Sequence, residues 1–155
     1  MKELLEYRTA LIDKLVQVAH EFRTESLTVE NAFAPIQEGW NVHQIAMHTR
    51  DIDKLVYGSR AIRTANEDNP EFQNFNGDLY MTEHYSANEP LSQVLDELVQ
   101  NVEELAQTLR SLPAEAWSRQ SRHVTLGHGF TLQTWVERDL AHLEEHLETI
   151  KNQNH

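Results

Sequence analysis

Four stretches of this chain repeat their apolar residues every three or four positions, and that period limits the fold more than any other feature. The first runs roughly over 2–23, with Leu4, Tyr7, Leu11, Leu15, Val18 and Phe22 on one stripe. The second runs over 41–65, with Val42, Ile45, Ile52, Leu55 and Ile62. The third runs over 89–112, with Leu91, Val94, Leu95, Leu98, Val102, Leu105 and Leu109. The fourth runs over 132–151, with Leu132, Val136, Leu140, Leu143, Leu147 and Ile150. Each stripe has a charged remainder, as a helix facing a core should. Glycine and proline fall mainly between the stretches, while Gly58 stands alone inside the second. Asn41 and Gln44 form the pattern of a capping box, Thr131 suits an N-cap, and Pro90 and Pro113 bracket the third helix. No segment alternates over a strand's length. The reading is an all-α, four-helix bundle in a single domain over 1–155, with long connections at 24–40, 66–88 and 113–131. Connections of that length often carry function.

Charge and cysteine content narrow the function. Thirteen Lys and Arg stand against 25 Asp and Glu, a formal charge of −12, which argues against nucleic acid and anionic membranes as partners. The absence of cysteine excludes a disulfide scaffold, a Cys₄ zinc site, an iron–sulfur cluster and a cysteine nucleophile. There is no apolar run near the ~20 residues of a membrane span. The opening MKELLEYRTALIDKL lacks a signal-peptide core, so a cytoplasmic location is expected. No glycine-rich phosphate loop, Gly-x-Ser-x-Gly elbow or His-Glu-x-x-His is present.

The nine histidines carry the remaining information. At 100° per residue His48 falls on the inward stripe of the second helix, while His43 falls nearly opposite and is expected to be solvated. His142 and His146 are four apart, which places both rings on one helical face at the flank of the apolar arc. A hydrogen-bonded core histidine is the competing reading of His48, and among nine histidines the pair alone carries little weight. One inward ring and an inward pair together make a three-nitrogen set. Neutral imidazole suits zinc, nickel and iron(II), and three protein ligands leave a position for water or substrate. Asp139 and Asp51 lie three positions from His142 and His48, as a fourth ligand, as acceptors for an imidazole N–H, or as solvated carboxylates. His84, His123 and His128 are expected as exposed loop residues, and His20 as a cation near the end of the first helix. His155 is terminal and uninformative. Glu144 and Glu145 face outward by angle, and Trp40, Trp117 and Trp135 read as anchors at helix ends.

The stretch Trp40-Asn41-Val42-His43-Gln44-Ile45-Ala46-Met47-His48-Thr49-Arg50-Asp51 resembles the first signature of the DinB/YfiT-like superfamily. There a tryptophan opens the second helix and a histidine eight residues on is a metal ligand. The run Gly129-Phe130-Thr131-Leu132-Gln133-Thr134-Trp135, leading into His142-Leu143-Glu144-Glu145-His146-Leu147, resembles the second. The resemblance spans all four helices. It implies up-down-down-up order with a long crossover between helices 2 and 3, and a divalent metal on His48, His142 and His146. It also implies a homodimer. The family includes transferases and isomerases that use a low-molecular-weight thiol (bacillithiol, mycothiol or glutathione) and proteins described as metal-dependent hydrolases. Arg50, Arg60, Arg63, Arg119 and Arg122 are the cations near helix 2 and the late loop that could meet an anionic thiol. The expected function is a metal-dependent enzyme activating a water or thiol for transfer to, or hydrolysis of, a small molecule. The alternative is a non-catalytic bundle that binds a metal or a partner.

Overall fold

The computed structural model describes residues 1–36 and 39–154; His155 lies outside them. The first stretch forms α1 (Lys2–Thr28), whose inward face is Leu11, Ile12, Leu15, Val18, Ala19 and Phe22. Leu4 and Tyr7 continue the stripe in sequence yet are exposed. The second stretch opens as α2 (Val42–Ile52) on the expected capping box: Asn41 Oδ1 accepts from the Gln44 N–H at 2.8 Å, and Gln44 Oε1 accepts from the Asn41 N–H at 2.9 Å.

That helix then widens. Asp53–Gly58 is a π turn, in which the Ser59 N–H reaches the Lys54 carbonyl five residues back, and α3 (Ser59–Asn66) completes it. A Cβ on residue 58 would stand 2.7 Å from the Asp53 carbonyl oxygen, so the glycine here is the residue that lets the wide turn close. The inward stripe changes here. Leu55, expected inside, is 40% exposed, and Val56 takes the core position instead.

The connection from α3 carries β1 (Glu71–Phe72) and α4 (Gly77–His84), the latter capped by Asn76, whose Oδ1 accepts from the Leu79 N–H. Next comes α5 (Leu91–Ser111), opened by Pro90 and followed by Pro113. A 3₁₀ turn over Ala114–Ser118, β2 (Gln120–His123) and β3 (Gly127–Thr131) lead into α6 (Leu132–Asn154). The Thr131 hydroxyl accepts from the Thr134 N–H, as the cap expectation required. The three strands form a small sheet in order β1-β2-β3, parallel then antiparallel, with a bulge at Ser121/Arg122. This sheet is absent from the sequence reading because strands of two to five residues are too short to show alternation.

Side-chain pairs fix the helix directions. Arg8 meets Gln133 and Asn154 meets Glu25, so α1 and α6 are parallel. Asp13 meets Arg110 and Arg23 meets Asp96, so α1 and α5 are antiparallel. His43 meets Glu89 and Arg50 meets Glu97, so α2 and α5 are parallel. His48 meets His142 while Arg60 stacks on Trp135, so the α2–α3 rod opposes α6. The order is up-down-down-up, and the parallel α2–α5 step requires the long crossover through α4. Phe22, Leu15, Met47, Leu95, Leu98, Leu109, Leu132, Trp135, Leu143 and Ile150 are fully buried between the helices. Each contributes about 1.5–3 kcal/mol of apolar burial. Among the described residues no helix is long and apolar enough to cross a membrane.

Candidate metal centre

Three imidazoles meet where α2 faces α6. Nε2 of His142 lies 3.3 Å from Nε2 of His48 and 3.0 Å from Nε2 of His146. The three form the one group of ligand-type side chains among the described residues whose donor atoms all lie within 4.8 Å of one another. Donors bound at about 2.0–2.1 Å to one ion are about 3.3 Å apart in a tetrahedron and about 3.0 Å apart as neighbours in an octahedron. Both separations from His142 are therefore those that a shared cation would set.

Their protonation fits that use. Burial pushes the His48 imidazole down to about 4, helped by the neighbouring His146. Burial pushes His142 down to about 3, with His146 and His48 adding repulsion, and burial lowers His146 as well. All three are neutral near pH 7, the form that ligates a metal. Nδ1 of His48 and of His142 are buried with no hydrogen-bond partner, so nothing on the protein ties the rings to another task. The Trp40 ring meets His48 edge-on at 5.4 Å, and Gly77 at the start of α4 closes the other side: a Cβ there would lie 3.3 Å from His48 Cε1.

His48 and His142 open onto a cleft of about 610 Å³ walled by the π turn, α4, the β2–β3 hairpin and α6. Tyr57, Arg60, Arg138, His123 and Asp78 line it. The Tyr57 ring lies 5.5 Å from that of His142, and burial raises its phenol above the ordinary value.

Behind the rings lies a second titratable pair. Asp53, first residue of the π turn, and Asp139 are buried beside each other, and Asp53 Oδ1 and both Asp139 carboxyl oxygens have no donor from any other residue, so a proton held between the two is what can join them. Burial pushes Asp53 up to about 6, against the pull of its hydrogen bond to Asp139. Burial, then the charge of Asp53, raises Asp139 well above the carboxylate range. A carboxyl pair in contact must share a proton.

Several sequence expectations are corrected here. Asp139 is fully buried rather than solvated, and its partner is Asp53 rather than an imidazole. Asp51 is held by Arg50 at 3.0 Å and touches no ring of the cluster through a hydrogen bond. His43, expected in solvent, is buried: Nε2–H donates to the Glu89 carbonyl at 2.6 Å and Nδ1 accepts from the Tyr85 hydroxyl at 2.8 Å. The apolar stripe marks only the bundle side of α2, whereas the crossover covers its other side. His123 is buried too, its Nδ1 accepting from the Thr125 and Leu126 N–H groups at 3.1 Å each. His20 pairs with Glu103 at 2.7 Å in mid-helix, since α1 runs on to Thr28. Trp117 and Trp135 are core residues, Trp135 donating to Ser121 Oγ at 2.7 Å. His84, His128, Glu144 and Glu145 are exposed as expected. Tyr57, Arg138 and Asp53 are the cleft and core residues sequence reasoning missed. Only the lone Gly58 hinted that this helix was irregular.

The sequence profile of the DinB superfamily matches residues 10–150, so the chain belongs to that superfamily. No curated protein matches the chain. Among solved structures it is similar to YfiT from Bacillus subtilis, described as a probable metal-dependent hydrolase with an unusual four-helix bundle topology. The two share 20% identity with a TM-score of 0.85, over 96% of this chain and 86% of that one. That likeness carries the fold.

Proposed function

We propose that this member of the DinB superfamily is a divalent-metal-dependent enzyme that acts on a small molecule bound in the cleft beside His48 and His142. The observation that carries this reading is three neutral imidazoles converging at one point with an open cleft on one side. His48, His142 and His146 would hold the ion. When bound, it supplies Lewis acidity, polarising an electrophile and bringing the pKa of a water or thiol toward neutrality. Hydrolysis is the first form of the proposal, supported by the description of YfiT. Thiol-dependent transfer is the second, supported by the resemblance of both histidine signatures and by the cationic end of the cleft.

The chain's own residues have separable tasks. The imidazoles keep their lone pairs free because burial opposes protonation. The Tyr57 phenol stays protonated near pH 7 and presents a hydrogen-bond donor to whatever lies over His142. Trp40 and Gly77 fix the His48 ring from two sides. Asp139 would close the ligand shell in the non-catalytic alternative, and its hydrogen bond to Asp53 favours the open form. Homodimer assembly is part of the same proposal, supported by the resemblance and testable by sedimentation.

Elemental mass spectrometry on untagged protein tests the site. Near one divalent ion per chain is expected, lost in His48→Ala, His142→Ala and His146→Ala. Wild-type protein that takes up neither zinc, nickel nor iron(II) would overturn the reading. Zinc, nickel and iron(II) forms should then be compared on small esters, amides and thiol acceptors. A loaded protein inert to all of them would favour the non-catalytic bundle.

A further inference from the structure

Thirteen basic residues serve a chain with 25 acidic ones, so carboxylate partners for an arginine are plentiful here. Arg23, Arg50, Arg63, Arg110 and Arg122 each pair with Asp or Glu. Arg8 and Arg119 are spent on carbonyl oxygens. Arg60 and Arg138 differ. Among the described residues Arg60 donates once, to the Gln73 carbonyl at 3.0 Å, and Arg138 forms no hydrogen bond or ion pair. Both line the cleft that His48 and His142 open onto.

The two guanidiniums are also held near one another. Their Cζ atoms lie 4.9 and 5.9 Å from the centroid of the same ring, that of Trp135. Arg138 also covers Phe130 at 5.1 Å, and Arg60 covers Phe72 at 5.7 Å. Stacking fixes the plane of a guanidinium and leaves its N–H fork free. Burial lowers both His123 and Arg60, and the guanidinium charges add to it: both act on His123, and Arg138 acts on Arg60. Two unpaired like charges gathered on one aromatic platform are stabilised by an anion between them. The acidic residue of the cleft, Asp78, lies toward His48, where it acts on that ring.

We propose that Arg60 and Arg138 form an oxyanion subsite, which makes the substrate of this cleft a small molecule bearing a carboxylate or phosphate group. The proposal rests on the reading of the cleft as the reactive site and adds the class of molecule it takes. The anionic group docks on the arginines and the remainder of the molecule extends toward His142 and Tyr57. In a chain of net charge −12 the surrounding field repels anions, so a local cationic pair is needed to admit one.

Protein-observed NMR at constant ionic strength tests this, with inorganic phosphate and acetate as separate probes. The signals to follow are the Arg side-chain N–H groups and the Trp135 indole N–H. Chelated and zinc-loaded protein are titrated in parallel, with zinc content measured in each sample. Saturable shifts are expected in both forms, with the apparent Kd raised about tenfold or more in Arg60→Gln and in Arg138→Gln. Arg63→Gln, which removes a guanidinium already paired with Glu67, should leave the Kd unchanged. Should a glutamine variant fail to fold, Arg60→Lys and Arg138→Lys keep the charge and lose the planar fork; they should bind more weakly than wild type. Saturation by phosphate alone would assign a phosphate-bearing substrate, and saturation by acetate as well would support carboxylates. No saturation by either probe overturns the proposal. So does binding that ignores the arginine substitutions, or binding seen only with zinc present, which would place the anion on the metal. Zinc uptake without anion binding would leave the metal reading intact, whereas anion binding without zinc uptake would remove the metal reading alone.

Discussion

Gly77 lacks a side chain at the place where one would press on a candidate ligand. A Cβ would stand 3.3 Å from His48 Cε1 and 3.4 Å from Ile52 Cδ1, so Gly77→Ala must displace the ring or the start of α4. A tilt of a few tenths of an ångström in one of three ligands is expected to weaken zinc binding about tenfold, within the range seen for the partners that orient ligands. Competition with a chromophoric chelator measures this, and unchanged affinity would mean that His48 does not need its present orientation. The buried acid pair gives a second prediction. Asp53 has a folded pKa of about 6, above its unfolded value. The folded state therefore holds a proton that the unfolded state releases; the contribution of Asp53 is full below its unfolded value and lost as pH rises through about 6, and Asp139, raised further, carries the same loss to higher pH. Asp53→Asn keeps a donor toward Asp139 without needing a proton. In chelated protein it should raise stability by about 1–3 kcal/mol at pH 7.5. The gain should shrink toward pH 4.5. Thermal melts at the two pH values decide it, and no gain at pH 7.5 would sink the shared-proton account. The three histidines were legible because their spacing sits on helical stripes. Asp139 and Arg138 were not: a carboxylate on an inward-leaning face reads as solvated, and an arginine reads as surface, until a partner from another element is known.

Among the elements, the long ones were legible and the short ones were not. The caps at Asn41 and Thr131 and the stops at Pro90 and Pro113 all mark real boundaries. The π turn left a weaker trace, since Leu55 and Val56 are both apolar and either fits a stripe. Gly58 is the residue on which this element turns. With 2.7 Å between a Cβ and the Asp53 carbonyl oxygen, Gly58→Ala must break the wide turn or displace it. A loss of about 1–3 kcal/mol is expected, of the size found for overpacking, although alanine is the better helix former in isolation. Urea unfolding of the chelated protein measures it. A variant more stable than wild type would show that the turn is not held by this contact.

At the scale of the whole molecule, the three imidazoles bridge helices that are distant in sequence, His48 and His142 being 94 positions apart. An ion binding the folded state alone stabilises it by mass action, by about 2.7 kcal/mol at a free concentration one hundred times Kd. Zinc at that excess should raise the melting temperature of wild type by about 5–11 °C, at about 2–4 °C per kcal/mol for a domain of this size. The same zinc should leave His142→Ala unmoved, and equal shifts in both proteins would mean that the ion binds elsewhere. Bundle order and helix number could be anticipated from four apolar periods and two degenerate signatures. The walls of the cleft could not, because they come from α4 and a hairpin too short to announce themselves.

The wide turn at Asp53–Gly58 has one more consequence, and it concerns angular phase. A five-residue hydrogen bond absorbs one additional residue, so every side chain after it is set back by about 100°. Along an uninterrupted α-helix Arg60 would project about 120° away from His48; with one residue absorbed the two project within roughly 20° of each other. The cationic end of the cleft and its imidazole end thus share a face because the rod carries one residue more than its geometry requires. Substitutions outside the turn leave that alignment standing. What dissolves it is a change of winding: the rod tightened to α geometry at full length carries Arg60 about 100° out of the cleft, whereas a single deletion within the turn restores a plain helix and leaves Arg60 beside His48.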